Sequence, residues 1–207
     1  MTDYAAEKLA AEARDRALGF RIEECEAAVR ARIDAEAGGI RRQTWAHLSA
    51  QSFQTPYAEL ERIVADADPE ESLDRWIDLG AGYGRLGIVL SELRPRARFL
   101  GLELVPERVA EGRRIYASLG IDPETLRQGD LADATIPVAD LYFVYDFGTR
   151  EEIARALDSL REYARRAPIR VVGRGRAVRD QIEREHPWLG AVVSPRHFGH
   201  YSIYRSA

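Results

Sequence analysis

Asp78-Leu79-Gly80-Ala81-Gly82-Tyr83-Gly84 ends an apolar run in an acid and follows it with three glycines at alternate positions. An apolar helical stretch, Leu86 to Leu93, takes over directly. Glycine is needed where a turn takes positive φ or where backbone must touch a ligand. A glycine turn between a strand and a helix N-terminus is the usual ligand crevice of an open parallel sheet. The chemistry implied is recognition of a nucleotide-type ligand by backbone and a few carboxylates. Two further acids stand where later strands should end: Glu103, about 20 residues on, and Asp130, after Gly129.

Gly82 to Gly87 also satisfies Gly-x-Gly-x-x-Gly, so a dinucleotide must be weighed against S-adenosylmethionine. Glu103 can accept both ribose hydroxyls of either ligand. Three features separate them. Asp78 lies two residues before the glycines, against a cationic amino-acid moiety rather than a pyrophosphate. Asp130, with Asp133 as competitor, stands where an adenine amino group could be held. The chain also has no second mononucleotide-binding half.

The elements that must position these residues alternate from Leu73 onward. Strands are predicted at 74–79, 97–102, 125–128, 140–145 and 169–173, with helices at 84–93, 106–118, 149–166 and 176–186, which implies a parallel sheet covered on both faces. The chain then departs from this pattern. Residues 190–194 and 199–204 are β-rich and joined by Pro195-Arg196-His197-Phe198, which predicts an antiparallel closing hairpin. Before the body, Ala-, Glu- and Arg-rich residues 3–37 carry Leu18, Ile22, Cys25, Val29 and Ile33 at helical spacing. One or two amphipathic helices are expected there, ending near Gly38-Gly39, followed by a polar stretch from Arg41. Thr55 is then expected to cap a helix whose first residue is Pro56. The organisation is a helical extension over 1–50 and an αβ domain over 51–207. The extension should cover the cofactor edge of the sheet, and its apolar stripe offers a surface for a homodimer.

Hydrophobic content of 45% and charged content of 31% describe an ordinary soluble globular protein. No apolar run approaches bilayer length, so no membrane partner is expected. The single cysteine, Cys25, excludes an internal disulfide and suits a cytoplasmic location. A net charge of −4 gives no global attraction to nucleic acid, and no nucleic-acid partner is expected. Lys8 is the one lysine among 30 basic residues. Codon bias explains this; avoidance of self-modification by a lysine-directed enzyme is the alternative.

Taken together, Asp78 to Gly84, Gly101-Leu102-Glu103 and Gly129-Asp130-Leu131 resemble the first three motifs of the class I S-adenosylmethionine-dependent methyltransferases. The resemblance covers roughly residues 50 to 205. It implies a Rossmann-like seven-stranded sheet with an antiparallel terminal hairpin, and S-adenosylmethionine as cofactor. A narrower pattern, Ser52-Phe53-Gln54-Thr55-Pro56 ahead of the glycine motif, is similar to the cofactor-covering loop of non-SET lysine methyltransferases. These include the telomeric-silencing histone enzymes and those acting on the ATP synthase c-subunit. Phe143-Val144-Tyr145-Asp146-Phe147-Gly148 looks like their fourth motif, although Tyr145-Asp146 replaces the amide pair of the histone enzymes.

On that resemblance, Thr55, Asp78, Gly80, Ala81, Gly82, Tyr83, Gly84, Glu103, Leu104, Asp130 and Leu131 would bind cofactor, with Gln54 part of the lid. The glycines could instead serve helix packing, Thr55 could cap a helix, and Tyr83 could merely cover the loop. Tyr145, Asp146 and Phe147 are the candidate catalytic residues: aromatic rings to shield a sulfonium and a carboxylate to take a proton. A structural turn with buried aromatics is the rival. His197 and His200 lack a third partner and are not read as metal ligands. Arg174 and Arg176 read as a solvated face, or as contacts to an anionic acceptor. The acceptor expected is a protein lysine; a small-molecule amine or hydroxyl, and a non-catalytic or NAD-binding protein, are the alternatives.

Overall fold

The computed structural model describes residues 3–35, 45 and 48–206. The expected helix end at Gly38-Gly39 and the start of the polar stretch at Arg41 lie outside the described residues.

Five strands run parallel: β1 (Arg75–Leu79), β2 (Arg98–Glu103), β3 (Leu126–Gln128), β4 (Leu141–Tyr145) and β5 (Arg170–Arg174). Two more, β6 (Val193–His197) and β7 (Tyr201–Arg205), form the antiparallel end of a seven-stranded sheet of order β3-β2-β1-β4-β5-β7-β6. β7 inserts beside β5, and β6 takes the edge. The expected turn residues are placed differently: Pro195 to His197 belong to β6, and residues 198–200 make the turn. Proline lacks an N–H, and an edge strand with a shifted register between Val193 and Arg196 tolerates it.

The parallel strands are apolar at nearly every position because both faces are covered. Alternate residues go to opposite layers. Trp76, Leu141 and Phe143 join one buried cluster, whereas Ile77, Tyr142 and Val144 join the other. Helices α5 (Arg85–Leu93) and α6 (Pro106–Ser118) flank the first layer, with α4 (Tyr57–Ala67); α7 (Arg150–Ala164) and α8 (Arg176–Glu185) cover the second. Complete burial of a side chain such as Ile63 or Leu79 is worth about 1.5–3 kcal/mol.

The N-terminal region forms α1 (Tyr4–Leu18) and α2 (Ile22–Ala35), and a single turn, α3 (Ala50–Phe53), precedes α4. Ala11 and Phe20 join the same cluster as Leu60 and Tyr116, and Val29 packs with Val105. Of the predicted stripe, Val29 is buried and Ile33 packs beside it, while Leu18, Ile22 and Cys25 lie partly buried against the main cluster. No described helix is long and apolar enough to cross a membrane. Helix α4 begins at Tyr57, with Pro56 in the capping position and no side-chain cap. The expectation for Thr55 is corrected accordingly: its carbonyl accepts a hydrogen bond from Arg85 Nη1 at 3.0 Å, so an arginine fixes this corner.

Candidate functional site

Strand order reverses between β1 and β4, and a cavity of about 250 Å³ opens at their carboxyl ends. Its wall brings together residues spread over the chain. Thr55, Asp78, Gly80, Ala81, Gly82, Tyr83, Glu103, Leu104, Asp130, Leu131, Tyr145, Asp146 and Phe147 all line it. Gln54 and Arg108 line it as well.

Gly80, Gly82 and Gly84 all have positive φ, but for different reasons. A Cβ on Gly80 would lie 2.4 Å from Phe147 Cβ, so Gly80 is what allows the turn after β4 to cross the glycine loop. A Cβ on Gly82 would meet nothing within 4 Å. Gly84 carries a packing restraint. It lies outside the cavity wall, and its Cβ would fall 2.5 Å from Tyr116 Oη, which donates to the Gly84 carbonyl at 2.6 Å. Gly87 repeats the restriction at 2.0 Å. These two glycines let α6 approach α5, a packing restraint on Gly84 beside any role in the loop. Tyr83 lines the cavity, while its hydroxyl donates to Glu26 of α2 at 2.7 Å.

The carboxylates are unequal. Glu103 is restrained by two backbone donors, Gly82 N at 2.8 Å and Val105 N at 2.9 Å, with Arg108 Nη1 at 3.9 Å. Asp78 is buried with its Oδ1 unpartnered. Burial, and then the nearby Glu103 charge, push its carboxyl up to about 8. Such a group invites a cation. Asp130 closes a local turn by accepting from Ala132 N at 3.0 Å while also facing the cavity; Asp133 is exposed and outside its wall. Gln54 is only 7% exposed, yet neither its amide oxygen nor its nitrogen has a partner.

The opposite wall is the turn after β4. Asp146 has φ +29, a sparsely populated conformation that tends to occur at functional sites. Trp45 Nε1 donates to the Asp146 carbonyl at 2.8 Å, and a Thr149–Glu152 capping box starts α7 immediately behind. Burial raises the Asp146 carboxyl, and Arg174 opposes the shift. Arg174 itself is a correction to the solvated face expected of it. It is buried, pairs with Glu59 at 2.7 Å and Tyr4 Oη at 2.6 Å, and stacks on the Tyr145 ring at 4.2 Å. Arg176 is exposed, 3.7 Å from Asp180. His197 meets Ser202 Oγ at 2.9 Å and His200 packs on the Tyr4 ring. Among the described residues no group of three His, Cys, Asp or Glu stands close enough to hold a metal.

Several wall residues had no signal in the local sequence. Trp45 reaches the site from ahead of α3, while Arg85 and Arg108 gain their roles from partners 70 and 82 residues away. The arginine directly after Gly84 was the one clue, because a charged side chain there must leave the core or find an acid.

No family model matches the chain. A curated relative, the ribosomal RNA small subunit methyltransferase G of Sodalis glossinidius, is 29% identical over 140 residues, 65% of this chain and 64% of the relative. The chain therefore spans slightly under two thirds of that relative's length. Among solved structures, the mitomycin 7-O-methyltransferase MmcR matches with a TM-score of 0.52 at 16% identity, over 72% of this chain and 52% of that one. TrmN from Thermus thermophilus matches at 0.53 and 15% identity, over 73% and 48%. The fold is the class I methyltransferase fold.

Within a methyltransferase fold, the residues present suit S-adenosylmethionine. The orphaned acid Asp78 suits an ammonium, the unpartnered Gln54 amide suits a carboxylate beside it, and Glu103 keeps lone pairs for vicinal hydroxyls.

Proposed function

We propose that this chain transfers a methyl group from S-adenosylmethionine to a nitrogen acceptor, with a protein lysine as the leading candidate. The observation that carries the reading is Asp78: its carboxyl is buried with Oδ1 unpartnered near a second acid, so its ionised form is costly unless a cation stands beside it. Asp78 would hold the ammonium, Gln54 and Thr55 the adjoining end of the amino-acid moiety, the Gly80–Gly82 backbone the chain between, Glu103 the ribose, and Asp130 with Leu104 and Leu131 the adenine.

Bound there, S-adenosylmethionine supplies a methyl carbon activated by a sulfonium. The chain's own residues would align the acceptor and exclude water. Tyr145 and Phe147 shield the positive centre with their ring faces. In the transfer, the acceptor nitrogen would take the methyl group as the carbon–sulfur electron pair returns to sulfur, and the Asp146 carboxylate in the cavity wall would receive the proton the nitrogen gives up. A lysine must enter this step neutral, and the aromatic wall favours that by desolvation. An open groove shares Trp45 and Asp146 with the cavity and continues past Thr149, Gln181 and Arg184, which supplies an approach for a large acceptor.

A second reading has its own observation. The curated relative is named for ribosomal RNA, so an RNA base nitrogen competes with lysine. The net charge of −4 does not remove this reading, because a local surface, not the total, meets an acceptor. Isothermal titration with S-adenosylhomocysteine and with NAD tests the pocket; binding of NAD alone would overturn the proposal. Tritiated S-adenosylmethionine, offered with protein, RNA and small-molecule fractions of a deletion strain, tests the acceptor. Base-stable label in protein supports lysine, and label only in RNA or small molecules refutes it.

A further inference from the structure

Two buried acids on the N-terminal helices reach the walls of the cavity. Asp15 of α1 accepts from Tyr57 Oη at 2.8 Å and from Arg85 Nε at 3.2 Å; Arg85 in turn holds the Thr55 carbonyl. Glu26 of α2 accepts from Tyr83 Oη at 2.7 Å, Arg108 Nε at 2.8 Å and Arg108 Nη2 at 3.0 Å. Arg108 stacks over Phe53 at 4.4 Å, and its Nη1 stands 3.9 Å from Glu103 Oε1. Glu26, Arg108 and Glu103 are all at most 6% exposed, so water does little to screen their charges.

We infer that Glu26 is a positioning residue for the cofactor site: it engages Arg108 so that Glu103 stays on the glycine turn and available to ribose. This inference rests on the methyltransferase reading. Two acids compete for one buried guanidinium. Glu26 holds it through two donors at hydrogen-bond distance, while Glu103 is left at 3.9 Å with its oxygens on Gly82 N and Val105 N. Without the Glu26 charge, Glu103 is the buried counter-charge that stands nearest Arg108 among the described residues. Closing the 3.9 Å gap pulls Oε1, the oxygen on Val105 N, toward Arg108, swings Oε2 on Gly82 N with it and occupies lone pairs that vicinal hydroxyls would use. The same change frees Tyr83 from α2, loosening the turn from behind. The N-terminal helices are thus part of the cofactor cradle rather than a cover laid over it.

Glu111 supplies the control. It also ties the N-terminal helices to α6, accepting from Arg21 N at 2.6 Å, and it is as buried as Glu103, but its side-chain partners Arg21 and Arg114 do not line the cavity. Affinity for S-adenosylhomocysteine and the melting temperature would be measured for the full chain, Glu26→Gln, Glu111→Gln and the double variant Glu26→Gln/Arg108→Gln. Glu26→Gln is expected to weaken binding at least tenfold. Glu111→Gln should lower the melting temperature and leave affinity within threefold. The double variant, with no guanidinium to capture Glu103, should recover affinity to within about threefold of the parent. Parent-like binding by Glu26→Gln overturns the inference, as does equal loss in Glu111→Gln or failure of the double variant to recover. A parent protein that binds no S-adenosylhomocysteine overturns the methyltransferase reading itself, and this inference with it.

Discussion

Replacing Asp78 by Asn separates two consequences of a single buried carboxyl. In the ligand-free protein this group keeps its proton up to about pH 8, because burial and then Glu103 penalise the charge. The unfolded chain releases the same proton near pH 4. Between those values the folded state binds more protons than the unfolded one, so stability falls as pH rises through the window. At about 1.4 kcal/mol per unit, the loss by pH 8 is on the order of 5 kcal/mol. Asparagine preserves the shape and carries no proton. Asp78→Asn should therefore match the parent near pH 4 and exceed it in urea unfolding at pH 8. Ligand binding should move the other way. An ammonium beside Asp78 requires the carboxylate, so below pH 8 binding expels a proton, and affinity for S-adenosylhomocysteine should rise about tenfold per unit from pH 6 to 8, then level off. Calorimetry in buffers of different ionisation enthalpy would count close to one proton released at pH 6. Asp78→Asn should show neither the slope nor the proton, and should bind at least 100-fold more weakly at pH 8, the ~3 kcal/mol or more of a buried charge losing its partner. A parent affinity independent of pH, or an asparagine variant less stable than the parent at pH 8, would refute this account of the site.

Gly87→Ala should destabilise by about 2–3 kcal/mol in thermal melts, because its Cβ would sit 2.0 Å from the buried Tyr116 hydroxyl; Gly87→Ala paired with Tyr116→Phe should recover part of that loss. Asp15→Asn breaks the pair with Arg85, both side chains at most 5% exposed, and should cost about 3–5 kcal/mol in denaturant titration; an unchanged midpoint would mean that water replaces the lost charge. Asp146→Asn should leave S-adenosylhomocysteine affinity within a few-fold and lower the methyl-transfer rate by about 10²–10⁴, with loss of the acidic limb of the pH–rate profile. Tyr145→Ala should lower that rate and also destabilise the protein, since it removes the ring on which the buried Arg174 stacks at 4.2 Å.

Much of the framework was legible in the chain because it depends on short-range signals. Apolar runs near Trp76, Leu100, Phe143 and Val171 are strands because both sheet faces are covered, and their ends agree with β1, β2, β4 and β5 to within a residue or two. Asp78, Glu103 and Asp130 follow successive strands, so a parallel sheet must bring them to one edge, and they do line one cavity. Only the tertiary structure could divide the glycines, because Gly80 answers to Phe147 and Gly84 to Tyr116, partners on other elements. Local spacing likewise made Arg174 look solvated. Its burial comes from Glu59 and Tyr4, 115 and 170 residues away, and from the ring of Tyr145. Glu26 is the extreme case. On an amphipathic helix it reads as one more surface acid, and it becomes part of the site only where Arg108 and Tyr83 are folded against it. Periodicity reports which side of an element is apolar; the partner of a buried charge is set by packing across the whole chain.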